Sequence, residues 1–283
     1  MKNYLWAEVL INLKLLKFFN LIFNVEINQV KLKFPVINIL GFQNLKELKQ
    51  GRETWLDRLI GIILKNKSGT FIDVGVNIGQ TLLKVKAVDL NQDYIGFEPN
   101  PSCCFYTSKL IQLNKFNKCK IIPVGLAEKS GLLKLFIRYG EDDPCASIVE
   151  NYREASFYSS EKYVFVCNGD SLVKELNIDA ISIIKIDVEG AELEVIQGLR
   201  SSITKYQPFI LCEILPVDES KDTENFRRTR QDSLDKILRE EGYLIGRISP
   251  TEKVELLDTI ETSPNSFDYV FIPSGMRHLV ELF

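Results

Sequence analysis

Short apolar runs alternate with helical stretches from about residue 70 onward. The runs rich in β-branched and aromatic residues predict buried strands at 70–74, 93–98, 119–124, 181–187 and 208–213. Helical spacing occupies the stretches between them at 79–90, 101–117 and 190–204. This alternation predicts an α/β fold in which a parallel sheet is covered by helices on both faces. Two later runs, at 243–248 and 268–272, would bring the sheet to seven strands.

Two regions interrupt this rhythm. Residues 25–40 alternate like exposed or edge strands, and residues 131–168 contain two strand-like runs joined by a polar loop. We therefore expect residues 1–69 to form an N-terminal cap and residues 70–283 to form the main domain. The stretch at about 131–168 is expected to be an insertion over the sheet.

The apolar segment 4–23 belongs to the cap. Its run is interrupted by Glu8, Lys14 and Lys17, which disfavours a membrane-spanning helix and a signal peptide. Its polar residues are scattered around a helical wheel, so it is not a clean amphipathic helix either. We expect a helix buried against the body or against a partner subunit, with weak contact to a membrane surface as the alternative. Because the segment could pack against a second subunit, the sequence leaves the oligomeric state open.

Composition and charge narrow the function classes. The chain has 283 residues, of which 45% are hydrophobic, and its formal charge is −3 with no long run of one sign. This charge pattern contains no basic patch of the kind that binds nucleic acid, so the expected ligand is small or carbohydrate-like. The six cysteines form no C-x-x-C pair, which favours a reducing, cytoplasmic location.

A glycine-containing loop follows the first core strand in the stretch FIDVGVNIG, residues 71–79. Glycines at the carboxyl end of such a strand let the backbone approach a cofactor closely. The dinucleotide pattern Gly-x-Gly-x-x-Gly fits poorly, because its second and third glycine positions fall on Asn77 and Gln80. Asparagine tolerates the left-handed backbone, so Asn77 can keep the turn and also offer a polar contact.

Two acids accompany the loop. Glu98 ends the second core strand, where a carboxylate can accept hydrogen bonds from both ribose hydroxyls of NAD or of S-adenosylmethionine. Asp73 adds a negative charge that would suit the cationic amino-acid end of S-adenosylmethionine and would repel a pyrophosphate. The simpler alternative is a glycine turn beside a solvated Glu98.

A second acidic motif follows the strand ISIIKID. Asp187 stands at the strand end, and Glu189, Glu192 and Glu194 lie at the start of the next helix. Acids are favoured at a helix N-terminus, which suffices to explain Glu194. Asp187 and Glu189 instead fall on the same edge of the sheet as Asp73 and Glu98, which favours a role in the site.

These motifs resemble those of the FkbM-type family of S-adenosylmethionine-dependent methyltransferases. The resemblance is carried by FIDVGVNIGQT, YIGFEPNP, IIKIDVEGAELEVIQGL and PFILCEI. It is strong over about 70–214, is weaker to about 272, and leaves residues 1–69 and 138–162 uncovered. It implies a class I methyltransferase fold, Rossmann-like, with a seven-stranded sheet whose last strand is antiparallel. It also implies an O-methyltransferase acting on a sugar, a glycan or a secondary metabolite.

The resemblance further implies a set of site residues. Asp73, Gly75, Asn77 and Gly79 would surround the methionyl part of the cofactor, and Glu98 would hold its ribose, with Pro99 as a further cofactor contact. Leu126 would contribute to the adenine wall. The block that contains Lys185, Asp187, Glu189 and Glu192 is matched as a whole, without individual roles. An NAD(P)-dependent oxidoreductase and a non-catalytic scaffold that binds an adenosine ligand are the alternative functions.

Methyl transfer to a hydroxyl requires removal of the acceptor's proton. His278, the single histidine, lies beyond the last predicted strand, so the candidates for catalysis are Lys185, Asp187, Glu189 and Glu213. Asp187 and Glu213 end adjacent strands and could also hold an Mg²⁺ ion between them. Lys185 shares the face of Asp187 and is either an ion-pair partner or a catalytic group. The sequence does not name the acceptor.

Overall fold

A computed structural model describes residues 20–37, 40–42, 45, 53–140, 143–217, 222, 225–261, 263 and 266–283. The strands among these residues are β1 (Asn20–Ile27), β2 (Val30–Ile37), β3 (Thr70–Val74), β4 (Tyr94–Phe97), β5 (Cys119–Ile122), β6 (Gly125–Ala127), β7 (Gly131–Ile137), β8 (Ser160–Asn168), β9 (Ile181–Ile186), β10 (Phe209–Glu213), β11 (Tyr243–Ile248), β12 (Val254–Leu257) and β13 (Asp268–Pro273).

The α-helices of the same residues are α1 (Thr54–Asn66), α2 (Gln80–Val88), α3 (Pro101–Asn114), α4 (Gly169–Glu175), α5 (Glu192–Gly198), α6 (Arg200–Tyr206) and α7 (Phe226–Glu240). Short 3-10 helices occupy Ala155–Phe157 and Ser274–Leu282. None of the described helices is long and apolar enough to cross a membrane.

The central sheet has the strand order β12-β11-β13-β10-β9-β3-β4-β5. The five predicted core strands are present, and β3, β4, β5, β9 and β10 run parallel. Strand β13 is antiparallel to both β10 and β11, as the resemblance implies. The α/β fold class is therefore confirmed. The sheet differs from the prediction by an eighth strand, because β12 pairs antiparallel with the outer edge of β11.

Helices and two apolar clusters cover the sheet. One cluster joins α1 and α2 to the face of Phe71 and Leu211, and the other packs α5 and α7 against the opposite face. Helix α3 begins where the sequence indicates, since Asn100 accepts a hydrogen bond from the Ser102 amide and Pro101 occupies the first turn. The predicted helix over 190–204 is instead two short helices, with Leu199 at the junction between them.

The remaining strands form two small sheets. Strands β1 and β2 form an antiparallel hairpin whose turn residues, Asn28 and Gln29, both have positive φ. The predicted helix at 4–23 falls mainly outside the described residues, and its last four positions belong to β1, so the prediction is wrong there. Strands β6, β8 and β7 form a three-stranded sheet, which includes residues 125–127 and so begins before the predicted insertion.

Candidate active site

A cavity of about 220 Å³ opens at the carboxyl ends of the parallel strands. This is the edge where open α/β sheets bind their ligands. Of the predicted site residues, those on the cavity wall are Gly75, Asn77, Glu98, Pro99, Leu126, Lys185, Asp187, Glu189 and Glu213. Asp73, Gly79 and Glu192 are not part of that wall. Most predicted residues are therefore brought together around a single space.

Gly75 allows the end of β3 to lie close to the end of β9. Its φ is 87°, and a Cβ added there would lie 1.9 Å from the carbonyl oxygen of Asp187. The Asp187 amide also donates to the Val74 carbonyl at 3.0 Å. The glycine loop and the Asp187 motif are thus in direct backbone contact.

Asn77 and Gly79 complete the turn into α2. Asn77 has φ of 48°, which confirms the predicted left-handed backbone, and Gly79 has φ of 83° at the start of the helix. The Asn77 side-chain oxygen accepts from the Ile78 amide at 2.7 Å. Its amide nitrogen lies 3.5 Å from the Asp143 carbonyl, so the polar contact of Asn77 is made mainly within the loop.

Glu98 is held by two backbone amides. Its carboxylate oxygens accept from Asn77 N at 2.7 Å and from Asn100 N at 2.8 Å. Burial raises the pKa of Glu98 to about 7 against the lowering effect of these two hydrogen bonds. Each oxygen keeps a lone pair on the cavity wall, so the carboxylate is oriented and can accept further hydrogen bonds.

Asp73 lies behind the wall. It is fully buried, and one of its oxygens accepts from the Tyr94 hydroxyl while Oδ1 has no partner. Burial raises its pKa to about 6, and the Lys185 cation opposes that rise. Asp73 is paired in register with Lys185, so the two side chains lie on the same face of the sheet.

Lys185 and Asp187 form an ion pair at the end of β9. Lys185 Nζ donates to Asp187 Oδ2 at 2.9 Å, and the Lys185 side chain is only 15% exposed. Burial opposes the lysine charge, but Asp187 and Asp73 outweigh it and raise the pKa of Lys185. Lys185 is therefore a cation that fixes Asp187, whose side chain remains 35% exposed to the cavity.

Three further carboxyl groups surround this pair. Burial, followed by the charge of Asp187, raises the pKa of Glu213 to about 9 and that of Glu189 to about 7. Asp268, which the sequence analysis missed, has its pKa raised to about 7 mainly by burial. The sequence does indicate this position, because an antiparallel last strand must begin at the edge where the parallel strands end.

The three-stranded insertion clamps the turn after β9. Ser147 Oγ donates to the Glu189 carbonyl at 2.7 Å, and Arg153 forms an ion pair with the Glu189 carboxylate. The ring of Tyr152 packs on Gly190, where an added Cβ would lie 2.6 Å from the ring. Glu189 is thus engaged in holding the insertion over the cavity.

The N-terminal region also reaches the cavity. Glu53, Trp55 and Leu56 line it from the start of α1, beside Lys84 of α2. Lys84 Nζ donates to the Glu53 carbonyl at 2.9 Å and lies 3.6 Å from both the Glu53 and Asp57 carboxylates. No local motif in residues 53–57 indicates this contact, which depends on how α1 packs against α2.

The predicted metal pair does not gain a third ligand. Among the described residues, no group of three or more His, Cys, Asp or Glu side chains is arranged to hold a metal ion. The Lys185 ammonium already bonds to Asp187 Oδ2, one of the two carboxylate oxygens that Asp187 could offer to an ion. The donor set therefore fits Mg²⁺ poorly, since that ion requires near-octahedral oxygen coordination.

A family model and several known proteins are similar to this chain. Residues 73–245 match the family described as the methyltransferase FkbM domain. The hexuronic acid methyltransferase AglP of Haloferax volcanii is 28% identical over 230 residues, which cover 78% of this chain and 87% of AglP. Methyltransferase 1 of Beauveria bassiana is 24% identical over 162 residues, covering 52% of this chain and 65% of that protein. The crystal structure of a methyltransferase FkbM from Methylobacillus flagellatus has a TM-score of 0.44 at 18% identity, covering 72% of this chain and 43% of that one.

Proposed function

Because this chain belongs to the FkbM family of methyltransferases, we propose that it transfers a methyl group from S-adenosylmethionine to a hydroxyl group of a sugar, a glycan or a small metabolite. One observation carries this proposal: Asp187, held by Lys185, faces the same cavity as the glycine loop and Glu98. An oriented carboxylate beside a cofactor loop is what proton removal from an alcohol requires.

The cavity suits a cationic adenosine cofactor. Of the described residues on its wall, seven are carboxylic acids and two are lysines, so a sulfonium and an ammonium group fit better than a pyrophosphate. Glu98 can accept from the ribose hydroxyls, and Leu126 with Pro99 offers an apolar surface to the adenine. S-adenosylmethionine supplies the electrophilic methyl group when it is bound. These features disfavour the NAD(P) alternative.

The charges and contacts of the four catalytic candidates distinguish their roles. Lys185 stays protonated and therefore positions Asp187 instead of accepting a proton. Glu189 is paired with Arg153, and Glu213, with a pKa of about 9, is protonated near neutral pH. Asp187 is thus the group that we assign to orient the acceptor hydroxyl and receive its proton as the new C–O bond forms. The methyl–sulfur bond of S-adenosylmethionine would break in the same step, so that the methyl ether and S-adenosylhomocysteine leave and the proton passes from Asp187 to solvent.

The sugar acceptor is supported by AglP, a relative that is named for hexuronic acid. A direct test incubates the purified protein with S-adenosylmethionine and methyl glycosides of glucose, glucuronic acid and N-acetylglucosamine, together with simple polyols. Formation of S-adenosylhomocysteine and of a methyl ether, identified by mass spectrometry, is the expected result. Tight cofactor binding without transfer to any hydroxyl would favour the scaffold alternative, and binding of NAD alone would overturn the proposal.

Glu98→Gln is expected to weaken S-adenosylhomocysteine binding by about 1–3 kcal/mol, because charge-assisted hydrogen bonds are lost. Since the pKa of Glu98 is about 7, the wild-type carboxylate is ionised above that pH and protonated below it. Wild-type affinity should therefore fall as pH drops from 8 to 6, whereas that of the variant should change less. Titration calorimetry measures the affinity of each protein at each pH.

Glu161→Gln is the matched control, because Glu161 forms an exposed ion pair with Lys134. An unchanged dissociation constant for Glu98→Gln would place the ribose elsewhere.

Removal of divalent metal is expected to leave turnover unchanged, because the Lys185 ammonium occupies the position beside Asp187. The measurement compares methyl transfer before and after dialysis against EDTA, with metal content determined in both samples. Activity that is lost on dialysis and restored by Mg²⁺ would show that Asp187 and Glu213 bind the ion after all.

A further inference from the structure

The first turn of α1 forms a wall of the cavity that the family match does not include. Glu53, Trp55 and Leu56 line the cavity, and all three precede residue 73, where the match begins. Trp55 is half-buried, packed on the core yet open to the cavity. This wall is therefore contributed by the N-terminal region.

The wall stands at the end of the cavity away from the predicted adenosine contacts. Helix α1 packs against β9, the strand that Asp187 follows, and Glu53 and Asp268 line the same cavity. After burial, the charge of Glu53 is the largest cause of the raised pKa of Asp268. Asp268 begins β13, which pairs with β10 on the far side of β9 from β3 and β4. Trp55 therefore belongs to the end of the cavity that contains Asp187, where the acceptor hydroxyl would have to lie.

The position of Trp55 is fixed by its surroundings. Leu56, Leu59 and Ile60 of α1 are buried in the core, and Lys84 Nζ donates to the Glu53 carbonyl at 2.9 Å. Glu53 itself adopts a left-handed backbone with φ of 58°, which is unfavourable for a glutamate without support from its neighbours. The indole is thus presented on a rigid turn and not on a loose loop.

An indole next to carboxylates matches the chemistry of a sugar. A pyranose has an apolar face of C–H groups, which packs on a flat aromatic ring, and a rim of hydroxyls that donate to carboxylates. Resting on the proposed function, we propose that Trp55 is the platform on which the acceptor's sugar ring stacks, with Glu53 and Asp268 accepting hydrogen bonds from its hydroxyls. The N-terminal region would then select the acceptor, while residues 73–245 bind the cofactor.

The test uses the full chain and the methyl glycoside that is methylated fastest. Trp55→Ala is expected to raise the KM for the glycoside about tenfold, because the aromatic surface that packs on the sugar ring is lost, with an unchanged Kd for S-adenosylhomocysteine. Trp55→Phe, which keeps a flat ring, should recover most of the loss. Tyr163→Ala removes an aromatic ring that is 65% exposed and absent from the cavity wall, and it should leave KM unchanged.

A second readout does not depend on turnover. The chain contains two tryptophans, Trp6 and Trp55, so Trp55 is the single indole emitter in a Trp6→Phe background. Addition of the glycoside to the S-adenosylhomocysteine complex should shift or quench this emission. The inference would be overturned if a folded Trp55→Ala variant kept its KM and if the glycoside left the Trp55 emission unchanged. The proposed methyltransferase function would stand in that case. A wild-type protein that methylates polyols but no glycoside would overturn the inference alone, whereas one that methylates no hydroxyl compound would contradict both.

Discussion

Asp187→Asn is expected to lower kcat by about 10²–10⁴-fold while changing the Kd for S-adenosylhomocysteine by less than about threefold. The amide keeps the shape of the side chain, but it cannot receive the proton of the acceptor hydroxyl. It can still accept the hydrogen bond from Lys185 Nζ, which is 2.9 Å away in the wild-type protein. Single-turnover methyl transfer and titration calorimetry separate the two effects.

A control substitution and a stability measurement accompany this test. Asp93→Asn changes an exposed acid that pairs with Lys118 far from the cavity wall, and it should leave both constants unchanged. Thermal unfolding checks that the buried Lys185 charge is still tolerated beside an amide, since breaking a buried ion pair can itself destabilise a protein. If Asp187→Asn retained turnover and lost cofactor binding, Asp187 would belong to the cofactor contacts.

Gly75→Ala is expected to abolish measurable binding of S-adenosylhomocysteine and to lower the free energy of unfolding by about 2–4 kcal/mol. The new Cβ would lie 1.9 Å from the Asp187 carbonyl oxygen, and the backbone at φ of 87° is already unfavourable for alanine. Because the obstacle is backbone, relief requires the ends of β3 and β9 to separate. Calorimetry and chemical denaturation measure the two losses.

Gly131→Ala is the matched control for that change. Gly131 begins β7 in the small sheet, and a Cβ added there would meet no atom within 4 Å. Its effect on unfolding should stay within about 0.5 kcal/mol, as for ordinary surface substitutions. A Gly75→Ala protein that binds the cofactor normally would mean that the glycine loop and the Asp187 turn are free to move apart.

The sequence predicted the part of the site that follows from strand ends. Gly75, Glu98 and Asp187 each come directly after an apolar run, and parallel strands bring such positions to one edge. Asn77 was predicted equally well, because its left-handed backbone is a local property of the turn. The motif predicts that Asp73 contacts the cofactor as well, but its side chain is fully buried off the cavity wall and accepts a hydrogen bond from the Tyr94 hydroxyl.

Contacts between distant segments could not be predicted in the same way. Trp55 and Lys84 meet the cavity because α1 packs across α2, and no pattern within either segment specifies that packing. The clamp of Ser147 and Arg153 on Glu189 joins residues 36–42 positions apart in a region without a recognisable motif. Short-range periodicity specifies elements and their faces, whereas these contacts depend on the assembled core.

Strand β13 has a consequence for which part of this chain can exist by itself. It is hydrogen-bonded between β10 and β11, although it lies beyond residue 245, where the family match ends. At the other end, α1 precedes the match and fills the same core as Phe71 and Leu211. A fragment cut at residues 73 and 245 would lose β12, β13 and half of β11 from one side of its sheet, would keep only two residues of β3, and would bare one face. The segment that matches the family is therefore shorter than the part of this chain that folds around one core, and transplanting that segment alone would transfer the motifs without a stable protein to present them.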